Sequence, residues 1–157
     1  MAAFRVQKDR QLALLRGVSL FSSCSNAELN RIGSLMTMLE MPKGSVLVEQ
    51  GTPGLEFFVV VEGSATASRN GLELAVLEPG SFFGELALLD GGDRTATVVA
   101  TTDMRLLVLT RHEFMSLQSS APSVAYKMLT ELGSRLRHAD VMLDEDGQSG
   151  LSPLRSL

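Results

Sequence analysis

Between Ser81 and Thr97 the chain reads SFFGELALLDGGDRTAT. Gly84 and Glu85 precede a short apolar stretch, Leu86-Ala87-Leu88-Leu89, and Arg94 stands ten residues after Gly84, beyond a Gly91-Gly92 turn. A helical turn that opens just after a glycine points unpaired backbone N–H groups at whatever lies before it, which favours an anion. Gly84 has no Cβ to hold that anion away from the backbone. The planar fork of donors on Arg94 suits a phosphate. Glu85 would repel an anion unless it accepts a hydrogen bond from a donor on the ligand. A phosphate with a hydroxyl nearby, as on a ribose, meets both demands. The same residues also admit a structural reading, an Arg94–Glu85 salt bridge bracing a loop, with Glu85 favourable at a helix start.

These residues must be positioned by what surrounds them. From Thr37 to Thr110 short apolar stretches alternate with turn residues, and the spacing predicts strands at 37–41, 45–49, 56–62, 64–68, 72–77, 82–84, 95–101 and 104–109. Breaks fall at Pro42-Lys43-Gly44, Gly51 to Gly54, Gly63, Asn70-Gly71, Pro79-Gly80 and Gly91-Gly92. Asn70-Gly71 is the signature of a two-residue hairpin. Short strands at such spacing predict an antiparallel sandwich or barrel. The unbroken apolar run from Phe57 to Val61 predicts a strand buried on both faces.

Helices flank this β region. Leu12, Leu14 and Leu15 are the apolar anchors of an N-terminal helix that ends at Gly17. Ser25 to Glu28 and Thr110 to Glu113 have the composition of capping boxes. Pro122 suits the first turn of a final helix reaching about residue 142. Its stripe, Ala125, Met128, Leu129, Leu132, Leu136, Ala139 and Leu143, suffices to dock on the β region. A stripe this regular could also pack against its twin in a homodimer. The expected divisions are residues 1–36 as an N-terminal helical segment, 37–110 as the β region, 111–143 as C-terminal helices and 144–157 as a disordered tail.

Composition narrows the chemistry. With 157 residues, 45% apolar and 20% charged, the chain suits one globular domain. A net charge of −4 argues against a surface built for nucleic acid. No apolar run is long enough to span a bilayer, Cys24 is the only cysteine, and no leader-like segment opens the chain. The sequence therefore predicts a cytoplasmic protein with no membrane contact. A metal-dependent β-barrel enzyme needs several converging ligands, and the two histidines, His112 and His138, both fall on predicted helices. Neither a nucleophile motif nor paired catalytic carboxylates occur, so no catalytic residue, metal or cofactor is assigned.

The run FGELALLDGGDRTAT, with the glycine-punctuated strands before it, resembles the phosphate-binding cassette of cyclic nucleotide-binding domains. The resemblance covers roughly residues 12–143. It implies a mainly β fold, an eight-stranded antiparallel jelly-roll barrel (a double-stranded β-helix), with N-terminal helices and a long C-terminal helix. It also implies cAMP as ligand, with cGMP left open. By the family pattern, Gly84 and the amides of Leu86 and Ala87 meet the ribose-phosphate, Glu85 accepts the ribose 2′-hydroxyl, and Arg94 neutralises the cyclic phosphate. Thr95 offers a hydroxyl to the phosphate or to the amine of a guanine. Phe83 is placed with the ligand-binding residues, Val61, Ala75 and Val98 line the base, and Arg135, Leu132 and Leu136 are candidates to cap it.

Asp93 departs from the pattern, because many relatives have proline immediately before the arginine. Its presence implies a looser loop with a second negative charge nearby. DNA-binding relatives carry a helix-turn-helix after the long helix. Here a polar tail with a single arginine, Arg155, follows, which predicts no DNA contact. The function expected is a non-catalytic sensor that signals to an effector protein through movement of the final helix. The alternative is a protein-interaction domain of the same fold with an empty or degenerate pocket.

Overall fold

The computed structural model describes residues 12–85 and 92–146, and beyond residue 137 the backbone alone. The chain runs through a helical segment at 12–16, a 3-10 turn at Ser19–Phe21 and helix α1 (Asn26–Leu35) into eight strands. These are β1 (Thr37–Met41), β2 (Val46–Val48), β3 (Glu56–Glu62), β4 (Ala65–Arg69), β5 (Leu72–Leu77), β6 (Phe82–Phe83), β7 (Thr97–Ala100) and β8 (Met104–Thr110). Helices α2 (Arg111–Ser120) and α3 (Pro122–Asp146) follow.

The eight strands stand close to where the turn residues placed them. Among the described residues they form two antiparallel four-stranded sheets, ordered β1-β8-β3-β6 and β2-β7-β4-β5, rather than one closed barrel. Consecutive strands β1 and β2, or β3 and β4, thus fall in different sheets, the alternation of a jelly roll. The β4–β5 hairpin turns at Asn70 (φ 52°) and Gly71 (φ 79°), the paired positive dihedrals of a type I′ turn.

Strand β3 organises the interior. Period-2 alternation sends Phe58 and Val60 toward the second sheet, where they join Ala65, Ala67, Phe83, Val98 and Leu106. It sends Phe57, Val59 and Val61 to the other face, into a cluster with Leu15, Phe21, Ile32, Phe114, Val124 and Met128 from the helical segments. The first sheet is therefore the middle of three layers. Strand β6 repeats the split in two residues: Phe83 stacks on Phe58 (centroids 4.8 Å, 12°) and Phe82 tilts against Phe57 (5.6 Å, 49°).

Both capping boxes form. Ser25 Oγ accepts from the Glu28 amide (3.2 Å) while Glu28 Oε1 accepts from the Ser25 amide (2.9 Å). Thr110 and Glu113 reciprocate in the same way at 3.1 and 3.0 Å. Glu28 has a second task, since Lys127 of α3 donates to its Oε1 (2.8 Å) and to the Ser23 carbonyl (3.0 Å). The Lys127 hydrogen bond, then that from the Ser25 amide, lowers the Glu28 carboxyl to about 2. The tie between α1 and α3 is therefore ionised at any ordinary pH.

Two expectations about the helices change. Leu14 is exposed, and Leu15, Val18, Leu20 and Phe21 are the buried anchors of the N-terminal segment. Helix α3 continues to Asp146, past the expected end near residue 142 and into the segment expected to be disordered. The remainder of that tail, 147–157, lies outside the described residues.

Candidate functional site

Arg94 is held first by its backbone. Its amide donates to the Thr52 carbonyl (2.7 Å), its own carbonyl accepts from the Gly51 amide (2.8 Å), and Asp93 pairs with Pro53 as an isolated antiparallel bridge. Residues 93 and 94 are thus fastened by the ladder to 51–53. Asp93 is exposed.

From this anchor the side chain runs inward across Gly54. A Cβ built on Gly54 would lie 2.2 Å from Arg94 Nε and 2.5 Å from Cζ, so only glycine leaves room for the guanidinium stem. Arg94 as a whole is 9% exposed. Its Nη1 donates to the Glu56 carbonyl (2.9 Å), its Nη2 to Glu56 Oε2 (3.0 Å), and its Cζ stands 5.8 Å from the Phe58 ring centroid. Burial lowers the Arg94 pKa from its usual range and Glu56 counteracts that; an arginine remains charged at neutral pH all the same.

Gly84 closes the other side. Its φ of +80° is a conformation that side chains disfavour, and a Cβ there would meet the Glu56 carbonyl at 2.7 Å and Arg94 Nη1 at 2.8 Å. Glu85 follows at 3% exposed. The described contacts bring Gly84 and Arg94 together at the head of β3, with Glu85 next in sequence, and the carboxylate that salt-bridges Arg94 is that of Glu56. A guanidinium has five N–H donors. Glu56 occupies two of them among the described contacts, and its side chain, 47% exposed, stands at the rim. A buried cation packed on a glycine backbone, with a buried carboxylate next in sequence, can take an anion that also carries a hydroxyl.

The remaining sequence candidates divide. Phe83 is fully buried between the sheets, and Ala75 and Val98 pack in the same cluster. The carbonyl of Thr95 accepts from Arg69 Nε at 2.9 Å. Val61 packs instead with the helical segments, on the face of β3 opposite Phe58 and Val60, and is separated from the others. Leu86 and Ala87 lie outside the described residues, as do the side chains of Leu132, Arg135 and Leu136.

Sequence reasoning missed Gly54, Glu56 and Phe58. The local sequence marks Gly54 only as a turn residue and Glu56 only as the first residue of a strand. One available signal for Glu56 is a carboxylate opening a strand whose next five residues are all apolar.

Burial first, then Glu28, raises the Cys24 thiol pKa, opposite to what activates a nucleophile. His112 is exposed on α2. No group of three or more His, Cys, Asp or Glu among the described residues could hold a metal ion. None of the described helices is long and apolar enough to cross a membrane.

A family model, the cyclic nucleotide-binding domain, matches residues 38–120, more than half of the chain. The chain belongs to this family. A cyclic AMP receptor protein of Thermus thermophilus is 35% identical over 135 residues, 83% of this chain and 62% of that protein. A cyclic nucleotide-gated potassium channel of Mesorhizobium japonicum is 41% identical over 117 residues, 74% of this chain and 32% of the channel. The crystal structure of the Thermus thermophilus catabolite activator protein superposes with a TM-score of 0.73 at 34% identity, covering 82% of this chain and 62% of that one. This cyclic nucleotide-binding domain thus spans under two thirds of each of these relatives. They are named for reception and gating, not for catalysis.

Proposed function

We propose that this domain is a cytoplasmic cyclic nucleotide sensor, with cAMP the expected ligand ahead of cGMP, that passes ligand occupancy to an effector protein through α3. The observation that carries the reading is the buried Arg94 guanidinium, packed against the Gly84 backbone at the head of β3, with buried Glu85 next in sequence. In this reading Arg94 neutralises the cyclic phosphate, Glu85 accepts the ribose 2′-hydroxyl, and Gly84 with the amides of Leu86 and Ala87 lines the ribose-phosphate. Phe83, Ala75 and Val98 lie on the side of the base, and Arg135, Leu132 or Leu136 would cap it.

Strand β6 offers the route outward. Phe83, one residue before Gly84, faces the cluster between the sheets, while Phe82 faces the cluster that holds Val124, Ala125 and Met128 of α3. A ligand that draws the cassette toward Arg94 shifts both faces of β6 together, so it has a differential contact with α3 through which to bias its position. The apolar stripe of α3 could instead meet its twin in a homodimer.

Hydrogen exchange tests the route. Saturating cAMP is expected to change the protection of amides in α3 as well as those of the cassette. A change confined to the cassette and the strands would contradict signalling through α3.

A further inference from the structure

Arg69 ends β4, and alternation along that strand places it on the face of Ala65 and Ala67, which are buried between the sheets. The pairing of β4 with β7 is regular over Ala65–Ser68, so no bulge on that side turns Arg69 away. Its surroundings are fixed: Asn70 and Gln50 exchange two hydrogen bonds (2.9 and 3.0 Å), and the Gln50 amide donates to Thr97 Oγ1 (3.0 Å). The side chain is fixed too, because Nε donates to the carbonyl of Thr95, the residue after Arg94. Yet Nη2 is buried with no hydrogen-bond partner, and no carboxylate pairs with this guanidinium among the described residues. An ionised donor buried without an acceptor is costly, and an acceptor brought by a ligand would remove that cost.

We propose that Arg69 is a base-reading residue of the nucleotide site, donating to the acceptor edge of the purine and so equipping the site to take a 6-oxopurine cyclic nucleotide. The inference rests on the cyclic nucleotide reading of the site and concerns how that site treats guanine, whichever nucleotide binds more tightly. Guanine presents two adjacent acceptors, O6 and N7, whereas adenine sets an amino donor beside N7. A guanidinium therefore gains more from the former. A role limited to bracing the Thr95 carbonyl would not distinguish the two bases.

The test is calorimetric titration of the wild-type chain and Arg69→Met with cAMP, cGMP and cIMP. The last nucleotide has the 6-oxo group but lacks the 2-amino group that Thr95 could address. Arg69→Met is expected to weaken cGMP and cIMP by about tenfold or more and cAMP by about twofold or less. Should that variant fail to fold, Arg69→Lys, which loses the forked donors, carries the same comparison with the same order of losses. Equal weakening of all three nucleotides, or no weakening, would overturn the assignment while leaving the site reading intact. A folded, nucleotide-free wild-type chain that binds none of the three would overturn both.

Discussion

Arg94→Ala is expected to weaken cAMP and cGMP binding by about 1.5–3 kcal/mol, roughly ten- to a hundred-fold or more. In the proposed site the variant removes the cation that would face the cyclic phosphate, and Arg94, at 9% exposed, is not replaced by solvent when it is lost. The loss exceeds that of a surface charge because Arg94 is itself buried, so solvent does not screen the missing interaction. Removing the side chain also frees Glu56 and empties the channel over Gly54, so some loss of stability is expected alongside. Arg94→Lys separates the two effects, since it keeps the charge and fills much of the space but cannot reproduce the fork. Calorimetric titration of both variants, with thermal unfolding to check the fold, makes the comparison. Unchanged affinity in Arg94→Ala would remove Arg94 from the site.

Gly84→Ala should be the most damaging single-methyl change at the site. The left-handed backbone alone costs a non-glycine residue about 1–2 kcal/mol. Gly84 adds a Cβ 2.7 Å from the Glu56 carbonyl, a backbone atom of a central strand that has little freedom to yield. Gly71→Ala isolates the first term, because its φ is the same within a degree while nothing lies within 4 Å of its Cβ. Thermal unfolding is expected to show a drop of a few degrees for Gly71→Ala and about twice that or more for Gly84→Ala, which should also lose nucleotide binding. Equal stability of the two variants would mean that Gly84 does not pack against Glu56 and Arg94 as described.

These two predictions rest on unequal parts of the sequence. The Gly84-to-Arg94 spacing, both capping boxes, the Asn70-Gly71 hairpin and the strand positions are local features, and local patterns report them. What Arg94 pairs with is not local. Glu56 lies 38 residues earlier, and only the return of 92–94 along the 51–53 segment brings the two together. Glu85, adjacent to the cassette glycine, was the nearer guess for a salt bridge for that reason.

Val61 shows a second limit. Alternation along Phe57–Val61 divides the run into two faces, but a run that is apolar throughout has no polar residue to say which face looks at the other sheet. Only the packing shows that Val61 looks toward the helical segments. Arg69 illustrates the converse, because the burial of its Nη2 becomes visible only once β4 is paired with β7 and its Nε is tied to Thr95.

The measurement that bears most directly on the sensor reading is calorimetric titration of purified, nucleotide-free protein with cAMP and cGMP. The expected result is saturable binding of at least one of them, at one site per chain and with micromolar or tighter affinity. A folded, nucleotide-free chain that binds neither would contradict the sensor reading and leave the alternative, an interaction domain of this fold with an empty pocket.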